Sequence, residues 1–145
     1  MADFLELVIV TPERQLLRQR VKEVELPGAD GYLGILPGHA PLITELGIGE
    51  LIYKNEAGES ILAIIRGFAE VLPDRVSVLA ETAERPAEID IERAKAALQR
   101  AQERLASNDP SLDYDRALIA LQRALIRIRV AELHVKHRSA AVASE

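Results

Sequence analysis

Six arginines after residue 90 carry the chemistry most worth weighing. Arg93, Arg100 and Arg104 stand at offsets 0, 7 and 11, and Arg116, Arg123 and Arg127 repeat that spacing. On an α-helix each trio falls within about 40° of one face. Two such faces brought together could grip a triphosphate, because the planar guanidinium fork matches phosphate oxygens. They could equally meet an acidic protein surface, or serve as the solvated side of two helices.

Other reactive groups are sparse. There is no cysteine, so disulfides, thiolate nucleophiles and sulfur metal sites are excluded together, in keeping with a reducing compartment. The three histidines are His39, His134 and His137. The last two have the i,i+3 spacing of a metal pair but no carboxylate or thiolate companion, and read as a solvated helix end, so no metal is expected. Gly28-x-x-Gly31-x-x-Gly34 lacks the Lys-Ser/Thr of a phosphate loop and reads as glycines at strand turns. No catalytic residue is nominated, and no enzyme activity or required cofactor is expected.

The elements that must position these groups divide the chain in two. All eight glycines, Gly28 to Gly67, lie in the first half, and alanine clusters after residue 83. Residues 1–82 hold 7 basic against 13 acidic side chains, and residues 83–145 hold 11 against 10. The net charge of −5 argues against nucleic-acid binding. No apolar run reaches the length of a membrane span, and the N-terminus shows no signal-type pattern, so export is not expected.

Short β-rich runs punctuated by turns fill the first half: Phe4–Val10, Val21–Leu26, Tyr32–Leu36, Leu51–Lys54, Ser60–Ile65, Phe68–Leu72 and Val76–Ala80. Asn55–Glu59 and Pro73–Arg75 read as hairpin loops. Eight to ten short strands at this spacing suggest an antiparallel sandwich or barrel. After Pro86 the period changes. Asp90 caps a helix whose Ile91, Ala94, Leu98, Ala101 and Leu105 recur at 3,4,3,4 spacing. Residues Ser107–Ser111 break it. A second helix starts near Asp113 and runs to about Leu133, with Leu118, Leu121, Leu125 and Ile128 as its seam. The short turn makes the two helices antiparallel neighbours. The first helix has only Ile91, Leu98 and Leu105 as large seam residues, and the second is apolar over more than one stripe. The pair should therefore depend on what it docks against, and a weakly held element can be moved by a ligand.

Gly31-Tyr32-Leu33-Gly34-Ile35-Leu36-Pro37-Gly38-His39-Ala40-Pro41-Leu42 resembles the signature of the epsilon subunit of bacterial F-type ATP synthases, the mitochondrial delta homologue. Val10-Thr11-Pro12-Glu13, Arg66-Gly67-Phe68-Ala69-Glu70-Val71 and Ala80-Glu81-Thr82-Ala83-Glu84 are similar to that family in the same order, as is the two-helix ending. The resemblance implies a ten-stranded antiparallel β-sandwich over residues 1–84 and a regulatory two-helix hairpin over 85–137; residues 138–145, beyond it, read as a frayed tail. It implies a non-catalytic rotor-stalk subunit at the cytoplasmic face of the membrane, peripheral to it, whose head binds the gamma subunit and the c-ring and links them for ion-driven ATP synthesis. The hairpin would inhibit ATP hydrolysis when extended into the alpha/beta catalytic crown.

Residue by residue, the resemblance assigns Asp30, Gly31 and Tyr32 to the c-ring contact and His39, Ala40 and Pro41 to the gamma and c-ring face. Ile89-Asp90-Ile91-Glu92-Arg93-Ala94 is similar to the Ile/Leu-Asp-x-x-Arg-Ala sequence with which some bacterial epsilon subunits bind ATP as a regulatory ligand. With Glu84, Arg100, Arg123 and Arg127 added, this nominates Glu84, Ile89, Asp90, Arg93, Ala94, Arg100, Arg123 and Arg127 as an ATP site. The alternative is a free-standing β-sandwich module that forms a homodimer through its helices.

Overall fold

The computed structural model describes residues 3–143, and the side chains of residues 3–134. The chain divides between Arg85 and Pro86 into two compact units.

The first unit holds seven strands: β1 Leu5–Val10, β2 Gln15–Val21, β3 Glu23–Gly28, β4 Gly31–Ile35, β5 Leu42–Asn55, β6 Gly58–Leu72 and β7 Arg75–Glu84. They form one sheet in the order β2-β1-β7-β6-β5-β3-β4. Neighbours are antiparallel except β1 and β7, which run parallel from Glu6 opposite Arg75 to Val10 opposite Leu79. The sheet folds over a core that includes Leu5, Leu7, Ile9, Val24, Leu26, Leu51, Leu62, Ile64, Val71, Val76 and Val78. Tyr53 of β5 reaches Gln19 of β2 across it, hydroxyl to Oε1 at 3.5 Å. Arg85 fastens the end of β7 by donating from Nη2 to the Leu16 carbonyl of β2 at 2.8 Å.

Two expectations are corrected here. The sheet is mixed, not antiparallel throughout, and it has seven strands where ten were expected. The reason lies in β5, β6 and β7, which run 14, 15 and 10 residues without a break. In a strand, alternate residues share a face. Core positions in β6 are the even Leu62 and Ile64, then the odd Ala69 and Val71. In β5 they pass from Leu46 to Leu51 and Tyr53, and in β7 from Val76, Val78 and Ala80 to Ala83. All three strands change face near one row, in which Gly67 pairs with Leu46 and Ala80. On β6 the change sits at Arg66 and Gly67, with φ of 56° and 139°. Each strand bends there and lends one half to each layer, where separate shorter strands were anticipated.

β2 was not anticipated at all. Its Gln15-Leu16-Leu17-Arg18-Gln19-Arg20-Val21 carries two arginines, and it lies at one end of the sheet order. Charged side chains are how edge strands discourage stray pairing, and they erase the apolar alternation that announces a strand. Arg18 is held to Glu6 of β1 through Nε at 2.7 Å. The loop expected over 55–59 is also tighter, since β5 continues to Asn55 and β6 starts at Gly58.

The second unit opens with a short 3-10 turn, Pro86–Glu88, followed by α1 Ile91–Ala106 and α2 Tyr114–Ala143. Asp90 caps α1, its carboxylate accepting from the Arg93 N–H at 3.1 Å. Asp113 accepts from the Arg116 N–H at 3.1 Å in the same way. α2 extends past the expected end near Leu133 and through most of the segment expected to fray; residues 144 and 145 lie outside the described residues. α1 packs against α2. The most buried helical positions include Ala94, Ala101, Ala117, Ala124 and Ala131, at seven-residue spacing in each helix. Ile91, Leu98 and Leu105, expected as the seam, are only half-buried, and Leu125 is exposed.

Between the helices Asp109 accepts from the Ser111 N–H at 2.9 Å and from its hydroxyl at 2.7 Å. These bonds hold the Asp109 carboxyl below its ordinary pKa, the hydroxyl bond foremost. A carboxyl depressed by folding stabilises the fold above its unfolded pKa, and that stabilisation is lost as pH falls through the folded value. The turn is therefore expected to loosen in acid. In an NMR titration the Ser111 amide should follow Asp109, and Ser111→Ala should raise the Asp109 midpoint; an unmoved midpoint would contradict this.

Candidate functional site

The glycine-rich segment folds as β4 followed by a loop over residues 36–41. Gly38 adopts φ of 86°, a left-handed conformation that glycine takes without strain. Its N–H donates to the Pro73 carbonyl at 2.7 Å, tying the loop to the turn between β6 and β7. The His39 N–H closes a turn onto the Leu36 carbonyl at 3.1 Å. His39 Nδ1 lies 2.6 Å from the Ala40 carbonyl oxygen, so the proton on that nitrogen is donated locally. His39 is half-buried, while Ala40 and Pro41 are exposed.

Asp30, Gly31 and Tyr32 are exposed at the other end of β4. In sequence β4 lies between the two groups, but Ala29 donates its N–H to the Glu45 carbonyl at 2.8 Å, so the turn before β4 meets β5 a few residues after the signature loop delivers the chain to Leu42. The Tyr32 hydroxyl is turned inward, donating to Glu50 Oε2 at 2.7 Å.

The head also carries a surface that sequence reasoning missed. Ile43, Phe68 and Leu79 are 72%, 56% and 58% exposed. Phe68 pairs directly with Leu79, and on its other side with Glu45, two residues along β5 from Ile43. The three share the outer face of adjacent strands, and Ile43 follows the signature loop within two residues. Exposed apolar rows of this kind mark partner surfaces. The signal was hidden by alternation: Leu62 and Ile64 point inward, so an uninterrupted strand would have put Phe68 in the core as well.

Of the nominated nucleotide residues, Glu84 ends β7 in the first unit and the other seven lie in the second. Ile89 is half-buried, Arg93 and Arg100 are exposed, and Ala94 is buried. Arg93 and Arg127 each stand seventeen residues from Pro110 in the connecting turn, so an antiparallel pair puts them at one level, with Arg100 and Arg123 at the next. Arg123 Nε is buried and makes no hydrogen bond. A buried donor left unsatisfied is costly, and an anion is the acceptor it would favour. His134 is exposed, and the side chain of His137 lies outside the described residues. Among the described residues, no helix is long and apolar enough to cross a membrane.

A strand-rich head with an open apolar face, carrying a helical pair with cationic faces, defines a docking subunit. Comparison with known proteins specifies which. Residues 4–86 match the family model of the ATP synthase delta/epsilon chain β-sandwich domain, and residues 87–132 that of its long α-helix domain. An ATP synthase epsilon chain of Koribacter versatilis is 54% identical over 76% of this chain and 78% of its own length. One from Syntrophobacter fumaroxidans is 48% identical over 91% of this chain and 98% of its own. A chain in a cryo-EM structure of the Euglena gracilis mitochondrial ATP synthase with its c-ring superposes with a TM-score of 0.78 at 25% identity, covering 90% of this chain and 82% of that one. The chain belongs to the ATP synthase delta/epsilon family, as its signature loop led us to expect, and is a non-catalytic epsilon-type subunit.

Proposed function

We propose that this subunit is part of the synthase's rotor stalk, joining the gamma subunit to the c-ring, with its helical hairpin acting as a nucleotide-sensitive brake on ATP hydrolysis. The exposed row Ile43, Phe68 and Leu79, bordered by the loop of His39, Ala40 and Pro41, carries the reading. In this scheme gamma covers that row and the Asp30–Tyr32 turn meets the c-ring. The subunit then works peripherally, at the cytoplasmic face of the membrane.

The hairpin's part rests on its composition. Apart from Ile126 and Val130, the described buried residues of the pair are alanines, so it gains little from its own seam, since each methyl contributes far less than a leucine side chain. Extended into the alpha/beta crown it would block hydrolysis. ATP would favour the retracted state through Asp90, Arg93, Arg100, Arg123 and Arg127, with Glu84, Ile89 and Ala94 at the margin. The unsatisfied Arg123 Nε supports an anion there.

Two measurements test this. Removing the residues after Glu88 from the subunit in a reconstituted synthase should raise ATP hydrolysis several-fold; unchanged hydrolysis would refute the brake. Calorimetry on the full chain should find ATP bound more tightly than millimolar, and about tenfold or more weaker with Arg123→Ala, the worth of a charge-assisted hydrogen bond. Millimolar or weaker binding, or binding undiminished by the substitution, would sink the site. The exposed Leu125 favours a second reading, a self-associating β-sandwich module. It requires a homodimer in sedimentation and no affinity for gamma.

A further inference from the structure

The ladder between β3 and β5 has a gap. Glu25 pairs with Ile52 and Gly28 with Leu46, so Leu26 and Pro27 of β3 stand against five residues of β5, Gly47 to Leu51. Pro27 has no N–H with which to close it. Tyr32 sits opposite Pro27 on β4, with β3 between it and β5. Its side chain nevertheless spans β3 to bond Glu50 on β5 at 2.7 Å. Gly49 makes the crossing possible, because a Cβ there would come within 2.7 Å of both the Tyr32 hydroxyl and Pro27 Cβ. Glu50 is 9% exposed, whereas Tyr32 remains 51% exposed.

We propose that Glu50 is a positioning residue that braces Tyr32, and with it the β3–β4 turn, into one fixed presentation. The tyrosine then meets its partner with its ring and keeps its hydroxyl for Glu50. The surface it fits offers an apolar contact beside a hydrogen-bond donor or cation for Asp30. A braced turn is ordered before binding, so less conformational freedom is lost on docking. The partner assignment rests on reading this turn as the c-ring contact; the brace itself does not.

The test uses Tyr32→Phe, Glu50→Ala, Glu50→Gln and the double variant Tyr32→Phe/Glu50→Ala in the full chain. Amide exchange over residues 28–34 should accelerate about tenfold in each of the first two, the order of one hydrogen bond to a charged group. Glu50→Gln, which keeps an acceptor oxygen but loses the charge, should accelerate exchange less than Glu50→Ala. The double variant should be no faster than either single one. Gly49→Ala, which displaces the ring without removing either bonding group, should match them. Coupled ATP synthesis in the reconstituted enzyme should fall in the same order while affinity for gamma stays unchanged. Unaltered exchange, additive effects in the double variant, or acceleration spread through β1 and β7 would overturn the proposal. Accelerated exchange with undiminished coupling would uphold the brace and remove the c-ring reading of the turn.

Discussion

A Gly67→Ala variant is expected to lose about 4 kcal/mol of stability, enough to unfold much of a marginally stable head. Two costs combine at this position. Its φ of 139° lies where side-chain-bearing residues are strained by roughly 1–3 kcal/mol. An added Cβ would also collide with the Leu79 carbonyl oxygen and press on Ala80 Cα, both main-chain atoms of β7. Backbone in the middle of a sheet cannot step aside as a side-chain tip can, so overpacking adds about 1–3 kcal/mol. Two other glycines separate the contributions. Gly58, with φ of 122° and open space around it, should show the strain alone when changed to alanine. Gly34, with neither constraint, should be close to neutral. Urea unfolding of the full chain gives the order directly, and a Gly67→Ala midpoint near that of Gly34→Ala would contradict the account.

Phe68→Ala is expected to weaken binding to the gamma subunit by about thirtyfold or more, the loss typical of an aromatic anchor at an interface centre. The ring is over half exposed, so removing it should shift folding stability by less than about 1 kcal/mol. Leu79→Ala should act in the same direction with a smaller effect, and the two should not be additive because the residues pair directly across β6 and β7. Surface plasmon resonance against purified gamma, with thermal unfolding as the control, distinguishes a docking loss from a folding loss. Full affinity in the double variant would place gamma on another surface.

The helices were legible because their cues are local. Asp90 and Ser107 mark the ends of α1, and its bounds matched. The head was legible in outline, through its turn residues and apolar runs, and in its family through the signature loop. Four features escaped. β2 is an edge strand whose arginines replace the alternation. Strand number depended on whether β5, β6 and β7 stop or bend, and Gly67 reads the same in either case. The apolar row depended on face parity, which reverses at Arg66 and Gly67. Pairing across strands distant in sequence also brought Tyr32 to Glu50, eighteen residues away, which no local pattern announces.

The bent strands have a mechanical consequence. In a sandwich of separate strands, a shearing load between the layers is resisted by side-chain contacts, which slide. Here β5, β6 and β7 pass from one layer into the other, so the same load is also borne by their main chains. β5 alone carries Ile43 of the apolar row and, seven residues on, the carboxylate that holds Tyr32. If the apolar row and the Tyr32 turn are the two docking surfaces proposed above, twist entering at one reaches the other along a continuous main chain, as along the warp of a woven strap.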